Sequence, residues 1–207
     1  MKRLRPDRER SPAGYYLFGV MRARGGRGGE GEDILRVRYR DLYALVRSVP
    51  YELPPLDRAR ILEHQRTVEA WMRRGTILPA PYGVVFRGRR PLVRFLEDQY
   101  LVLDEALVFL EDHWEFRLHV SLASAVEPTP ELQEMATHIY SELRRFARAA
   151  VPFPRTERRL LSAAFLVERA AWIEFVERAE DVSAAHPELV VDVTGPWPPY
   201  DFVKMVQ

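Results

Sequence analysis

The chain has 207 residues, 47% of them apolar and 29% charged, and a net charge of +1. That length and balance describe a globular protein of one large or two small domains, and charges of both signs interspersed along the chain point to no acidic partner. The absence of cysteine excludes disulfides, zinc–thiolate centres and cysteine nucleophiles, and no apolar run approaches the ~18 residues of a membrane-spanning helix. Lysine occurs only at Lys2 and Lys204 and asparagine is absent. Both residues have A-rich codons, so GC-rich coding explains the preference for arginine better than phosphate binding does.

Residues 1–13 are charged, carry no apolar core and read as a disordered basic arm rather than a secretory signal. "YYLFGVM" (15–21) is a compact apolar run and reads as a buried strand. The glycine-rich stretch "RARGGRGGEGED" (22–33) is a connection. "ILRVRY" (34–39) sets Leu35, Val37 and Tyr39 against Arg36 and Arg38, as a half-buried strand does, and "LYALVRSV" (42–49) is a third strand ended by Pro50. Residues 57–74 predict a helix with Ile61, Leu62, Val68, Trp71 and Met72 on one face. Two short extended pieces follow over 76–86, broken by Pro79, Pro81 and Gly83. A second helix opens near Pro91 and carries Leu92, Phe95, Leu96, Leu103, Leu107 and Leu110 at helical spacing.

The second half opens on "WEFRLHVSL" (114–122), which alternates strictly. Trp114, Phe116, Leu118, Val120 and Leu122 are expected inward, and Glu115, Arg117, His119 and Ser121 outward. Thr129-Pro130 gives an N-cap and a first-turn proline for a helix to about 149, which "PFP" (152–154) breaks. "LLSAAFLVER" (160–169) is apolar on both faces, as a central strand is. A helix bearing Trp172, Phe175, Val176, Ala179 and Val182 and a last strand, "ELVVDVT" (188–194), complete the order. The expected fold is α+β, with an arm over 1–13, an N-terminal domain over 14–112 and a C-terminal domain over 113–207 that resembles an incomplete ferredoxin-like pattern.

No chemistry-bearing motif stands out. The five histidines have no metal-ligand spacing, and no phosphate-binding glycine loop or nucleophile elbow occurs. His64 reads as a buried structural histidine, His119 as part of a solvated sheet face, and Glu111-Asp112 as a solvated helix end. These features predict a protein without enzymatic activity and without cofactors. An RNA-binding module built on the arginine-rich arm and the glycine-rich run is the alternative reading, but the near-neutral charge argues against a nucleic-acid partner.

The C-terminus is the exception. "TGPWPPYDF" (194–202) packs three prolines and three aromatic residues into nine positions. Residues before proline are driven to extended conformations, so Gly195 and Trp197 are expected in β or polyproline II geometry. The result is a pre-ordered strap whose Trp197, Pro198, Pro199, Tyr200 and Phe202 close the fold or meet a partner.

"TGPWPPYDFV" closely resembles the C-terminal hallmark of the gas vesicle protein F/L family (GvpF/GvpL). "YYLFGV" (15–20), "LYALVRSVP" (42–50), "HQRTVEA" (64–70), "ILPAPYGVVF" (77–86) and "SAAFLVER" (162–169) are similar to further family segments in the same order. The resemblance implies two α+β domains, the second a modified ferredoxin fold. It also implies an accessory protein of gas vesicle formation, cytoplasmic or on the vesicle. As partners it implies the small hydrophobic wall protein and other accessory proteins, and no membrane.

Overall fold

The computed structural model describes residues 13–23, 33–123, 128–154, 156 and 159–203. Residues 1–12 of the expected arm and 24–32 of the glycine-rich run lie outside the described residues, so the RNA-binding surface they would build is not described either.

The first sheet is built from β1 (Ala13–Arg22), β2 (Leu35–Tyr39), β3 (Leu42–Pro50), β4 (Ile77–Pro79) and β5 (Val85–Phe86). Its order is β2-β3-β1-β4, with β5 also pairing β1, and every pairing is antiparallel. β1 is apolar on both sides because both sides are covered. Tyr16, Phe18 and Met21 meet Val68, Trp71 and Met72 of α1 (Arg58–Met72). Leu17 and Val20 share a second core with Leu92 and Leu96 of α2 (Arg89–Asp98) and Leu103 and Leu107 of α3 (Tyr100–Phe109). α1 therefore lies on one face of the sheet, and α2 and α3 on the other.

Two expectations need correction here. The apolar stripe of α1 is buried only from His64 onward, and Ile61 and Leu62 remain exposed. Ile61 shares the face of His64 but opens onto a groove, and Leu62 is turned away from the core. The single helix expected from Pro91 is two helices that meet at Gln99. The Tyr100 hydroxyl donates to Asp41 Oδ1 at 2.6 Å and pins the start of α3 to the β2–β3 turn, a long-range contact without a local signature.

The second sheet has the order β7-β8-β6-β9, again antiparallel throughout. Its elements are β6 (His113–Leu122), α4 (Pro130–Leu143), β7 (Ala149–Pro152), β8 (Leu161–Glu168), α5 (Trp172–Ala185) and β9 (Leu189–Trp197). The α4 cap forms as expected, with the Leu132 N–H donating to Thr129 Oγ1. β7 was not expected. It is an edge strand, where Pro152 needs no partner for a missing N–H. Phe116, Leu118, Val120 and Phe165 face α4 and α5 in the core of this half. The other face of β8 turns Leu166 into the core of the first half, which is why that strand is apolar on both sides. The described residues form an α+β fold of two antiparallel sheets and five α-helices.

Gly19 lies where β4 pairs with β1. A Cβ there would stand 2.6 Å from the Leu78 carbonyl oxygen and 2.9 Å from the Ile77 side chain. Gly19→Ala is expected to cost about 1–3 kcal/mol through overpacking, read as a lower urea midpoint at unchanged m-value. An unshifted midpoint would show that the two strands separate without penalty.

Candidate functional site

The C-terminal strap is laid across the seam between the two sheets. β9 pairs with β6 from Leu189↔Leu122 to Thr194↔Arg117, then slips, and Trp197 stands opposite Glu115. The slip accommodates Gly195 and Pro196 against the single residue Phe116. Gly195 adopts φ 142°, a conformation L side chains rarely take, and a Cβ there would stand 2.8 Å from Phe116 Cδ1. The extended or polyproline geometry expected at Gly195 is thus replaced by a glycine-specific bulge.

Beyond the bulge, Pro198 and Pro199 are buried, and Trp197, Tyr200 and Phe202 are half-buried. Trp197 Nε1–H donates to Thr194 Oγ1 at 3.2 Å. A 3₁₀ turn (Tyr200–Phe202) directs Tyr200 into the α1-side core of the first sheet and Phe202 and Val203 into the α2/α3-side core. The strap thus joins the last strand of the second half to both cores of the first.

Under this turn lies a group expected at the surface. Glu115, assigned outward by the alternation of β6, is 0% exposed. At Glu115 that face of β6 is covered by the strap, whereas Arg117, His119 and Ser121 farther along remain partly exposed. Glu115 Oε1 accepts from Arg117 Nε at 2.8 Å and Oε2 from the Asp201 backbone N–H at 2.9 Å. Arg117 in turn donates to Asp201 Oδ2, from Nη2 at 2.8 Å and Nε at 3.1 Å. One guanidinium therefore bridges a β6 carboxyl and a strap carboxyl. Burial pushes the Glu115 carboxyl up to about 8. The N–H of Asp201 and the charge of Arg117 oppose that shift, while the side chain of Asp201 adds to it. Burial also raises the Tyr200 hydroxyl. The sequence carried no local signal for this burial, because the covering residues come from the far end of the chain.

A groove of about 460 Å³ opens beside the strap, lined by Ile61, His64, Tyr82, Arg117, Trp197 and Tyr200 among others. His64 forms its inner wall. Nδ1 accepts from the Tyr16 hydroxyl at 2.7 Å and Nε2–H donates to the Ala80 carbonyl at 3.0 Å, which assigns the neutral tautomer. Burial lowers the pKa of His64 and raises Tyr16 to about 12. His64 is the buried structural histidine expected. His119 is half-buried, with Nδ1 3.0 Å from Ser162 Oγ and 2.9 Å from Arg159 Nη1. Among the described residues no group of three or more His, Asp or Glu side chains could hold a metal ion, and no helix is long and apolar enough to cross a membrane.

Fold and site together define a two-sheet α+β protein whose halves are clasped by a C-terminal strap over a buried carboxyl–guanidinium network. Residues 14–137 and 122–204 match the family model described as gas vesicle synthesis protein GvpL/GvpF. The chain is 26% identical over 183 residues to gas vesicle protein F1 of Halobacterium salinarum, covering 84% of this chain and 83% of that protein. It is 25% identical over 251 residues to gas vesicle protein L of a Streptomyces species, covering 93% of each. Crystal structures of GvpF from Anabaena sp. and Microcystis aeruginosa have the same fold, with TM-scores of 0.81 and 0.77. They are 18% and 17% identical to it and cover 94% and 91% of this chain and 98% of each of theirs. The chain belongs to the GvpL/GvpF family, and its role lies in gas vesicle formation.

Two outcomes test the clasp. Glu115 binds its proton more tightly folded than unfolded, so stability falls as pH rises from the ordinary carboxyl value near 4.5 through about 8. His64, with a lowered pKa, works oppositely but only below its ordinary 6.5. Unfolding free energy is therefore expected to decline between pH 6.5 and 8, and Glu115→Gln to flatten that decline. An unchanged slope in the variant would assign the titration elsewhere. Trp197→Ala is expected to cost about 1–2 kcal/mol, since a half-buried ring loses only part of the burial energy of a core side chain. Phe116→Ala in the same experiment is expected to cost about 3–5 kcal/mol, and equal losses would place Trp197 energetically in the core.

Proposed function

We propose that the protein is an accessory assembly factor of gas vesicles that binds the small, hydrophobic wall protein before or during its polymerisation. The match to the family over almost the whole described chain carries this reading. An unpolymerised wall protein exposes apolar surface that aggregates unless it is covered. A binder with a rigid body and exposed apolar side chains can cover that surface and release it to the growing wall. On this reading the protein acts in the cytoplasm and at the vesicle surface, its partners are other gas vesicle proteins, and it has no catalytic turnover.

Within this scheme residues 14–112 and 113–207 form two α+β domains, the second a modified ferredoxin fold. Its β-α-β-β-α-β order supports that assignment. The strap residues Trp197, Pro198, Pro199, Tyr200 and Phe202 act as an intramolecular clasp that fixes the two domains at one angle. The prolines limit the conformations open to the free strap, which lowers the entropic cost of docking it.

The test is co-expression of the affinity-tagged protein with the wall protein, followed by capture at low and moderate salt. Retention of the wall protein, with an unrelated hydrophobic protein lost, is the expected result. If no wall protein is retained at either salt concentration, the assembly-factor reading is abandoned.

A further inference from the structure

Strand β2 turns two arginines toward the side of the first sheet that α1 covers. Val37 and Tyr39 pack into the α2/α3-side core, so Arg36 and Arg38, alternating with them, face the other way. There they meet the C-terminal end of α1. Arg36 Cζ stands 5.3 Å from the centre of the Tyr43 ring and 5.0 Å from that of the buried Trp71. Arg74, just past α1, stands over the same Trp71 ring at 4.6 Å. The two guanidiniums at Trp71 are therefore no farther apart than the sum of their distances to that ring. Arg38 Nε donates to the Arg40 carbonyl at 2.6 Å, and its Nη groups have no hydrogen-bond partner among the described residues. Together with Arg22 these arginines line one cavity of about 600 Å³, whose apolar part is Met21, Leu107 and Val108. Glu111 is the only acidic residue among the described lining residues, and Asp104 pairs with Arg22 from outside the lining. Four arginines against Glu111 and Asp104 leave a formal balance of two positive charges.

We propose that this cavity binds an acidic peptide segment of a partner protein, one that carries two or more carboxylates around an apolar side chain. A guanidinium held over an aromatic ring is restrained in orientation, and its planar fork of N–H groups donates bidentately to a carboxylate. Carboxylate residues one helical turn apart, with about 5–6 Å between their Cβ atoms, fall within the separation allowed to Arg36 and Arg74. Met21, Leu107 and Val108 offer the apolar side chain a surface to cover, and the volume lies in the range of specific ligand sites. Nucleic acid fits the cavity less well. Unpaired bases bind by stacking on open aromatic faces, whereas Trp71 is buried beneath two guanidiniums and Tyr43 carries one. A free phosphate would leave the apolar wall unused. Attraction between the arginines and the acidic segment steers its approach and weakens with salt. The site stands apart from the wall-protein reading, since it requires of its partner only this charge and this apolar residue.

The test is fluorescence anisotropy with the full-length protein and a short labelled peptide of glutamate and leucine, at low and moderate salt. The same peptide with lysine for glutamate, the same with serine for leucine, and a labelled oligothymidylate are the comparisons. The glutamate–leucine peptide is expected to bind, more weakly as salt rises, the lysine version not to bind, and the serine version to bind less tightly. Arg38→Ala combined with Arg74→Ala is expected to weaken binding by about tenfold or more. Both side chains are exposed, so the thermal unfolding midpoint is expected to stay close to the parent's. Arg89→Ala combined with Arg90→Ala, two exposed arginines of α2 outside the cavity, is expected to bind as the parent does. No binding by the parent chain overturns the proposal, and so does an equal loss in the two double variants, which would reduce the effect to overall charge. Equal affinity for the leucine and serine peptides would leave a bare anion cluster and overturn the peptide assignment. Oligothymidylate bound more tightly than the acidic peptide, and lost in the Arg38/Arg74 variant, would assign the cavity to nucleic acid instead. None of these outcomes depends on whether the wall protein is retained on capture.

Discussion

A carboxyl group with no exposure to water has to be answered by the chain around it, and Glu115 sets that demand at the centre of this fold. Burying an unpaired carboxylate is far more costly than the stability of a small domain allows. The answer comes from one residue two positions along the same strand and one 86 positions away, Arg117 and Asp201. Only the docked strap brings the Asp201 N–H to Glu115. The network therefore ties the end of the chain to β6, and through Tyr200 and Phe202 to the first sheet. Burying such a network adds little net stability compared with an apolar replacement. What the docked strap adds is the Asp201 N–H to Glu115 and the Asp201 carboxylate to Arg117, and any other position of the strap forfeits both.

The apolar strands follow from the same arrangement. β1 is covered on one face by α1 and on the other by α2 and α3. β8 is covered by α4 and α5 on one face and by the first half on the other, through Leu166. Separating the two sheets would leave β1 covered but would uncover the Leu166 face of β8. The strap covers what remains of the seam at the end of β6, and Pro198 and Pro199 are buried there. These residues have no N–H to leave unsatisfied in a position that no strand ladder reaches.

Local periodicity made most of the elements legible in the sequence. β6, β8 and α5 carry their burial pattern on adjacent residues, and the cap at Thr129 needs only its own turn. What the sequence did not disclose depends on distant partners. The break between α2 and α3 answers to Asp41, far back in the chain. β7 is short, ends in proline and forms only because β8 offers it an edge. Glu115 is the sharpest case. Period-two alternation says which residues share a face, but not whether that face meets water. His64 was legible as buried, yet its exchange of hydrogen bonds with Tyr16 and Ala80 was not, since those partners come from two separate strand regions.

The aromatic and proline content of the C-terminus thus has a structural reason, and that reason bears on where a partner can bind. A segment packed against both halves is poorly suited to being a mobile recognition arm, because releasing it would remove the Asp201 contacts of Glu115 and Arg117 and uncover Tyr200 and Phe202. Helix α3 is held from within in a comparable way. Its buried face is fixed by Leu103 and Leu107 against the first sheet, and Tyr100 and Asp104 are tied to Asp41 and Arg22. The elements that touch the rest of the fold at both ends are those least free to rearrange when a partner binds.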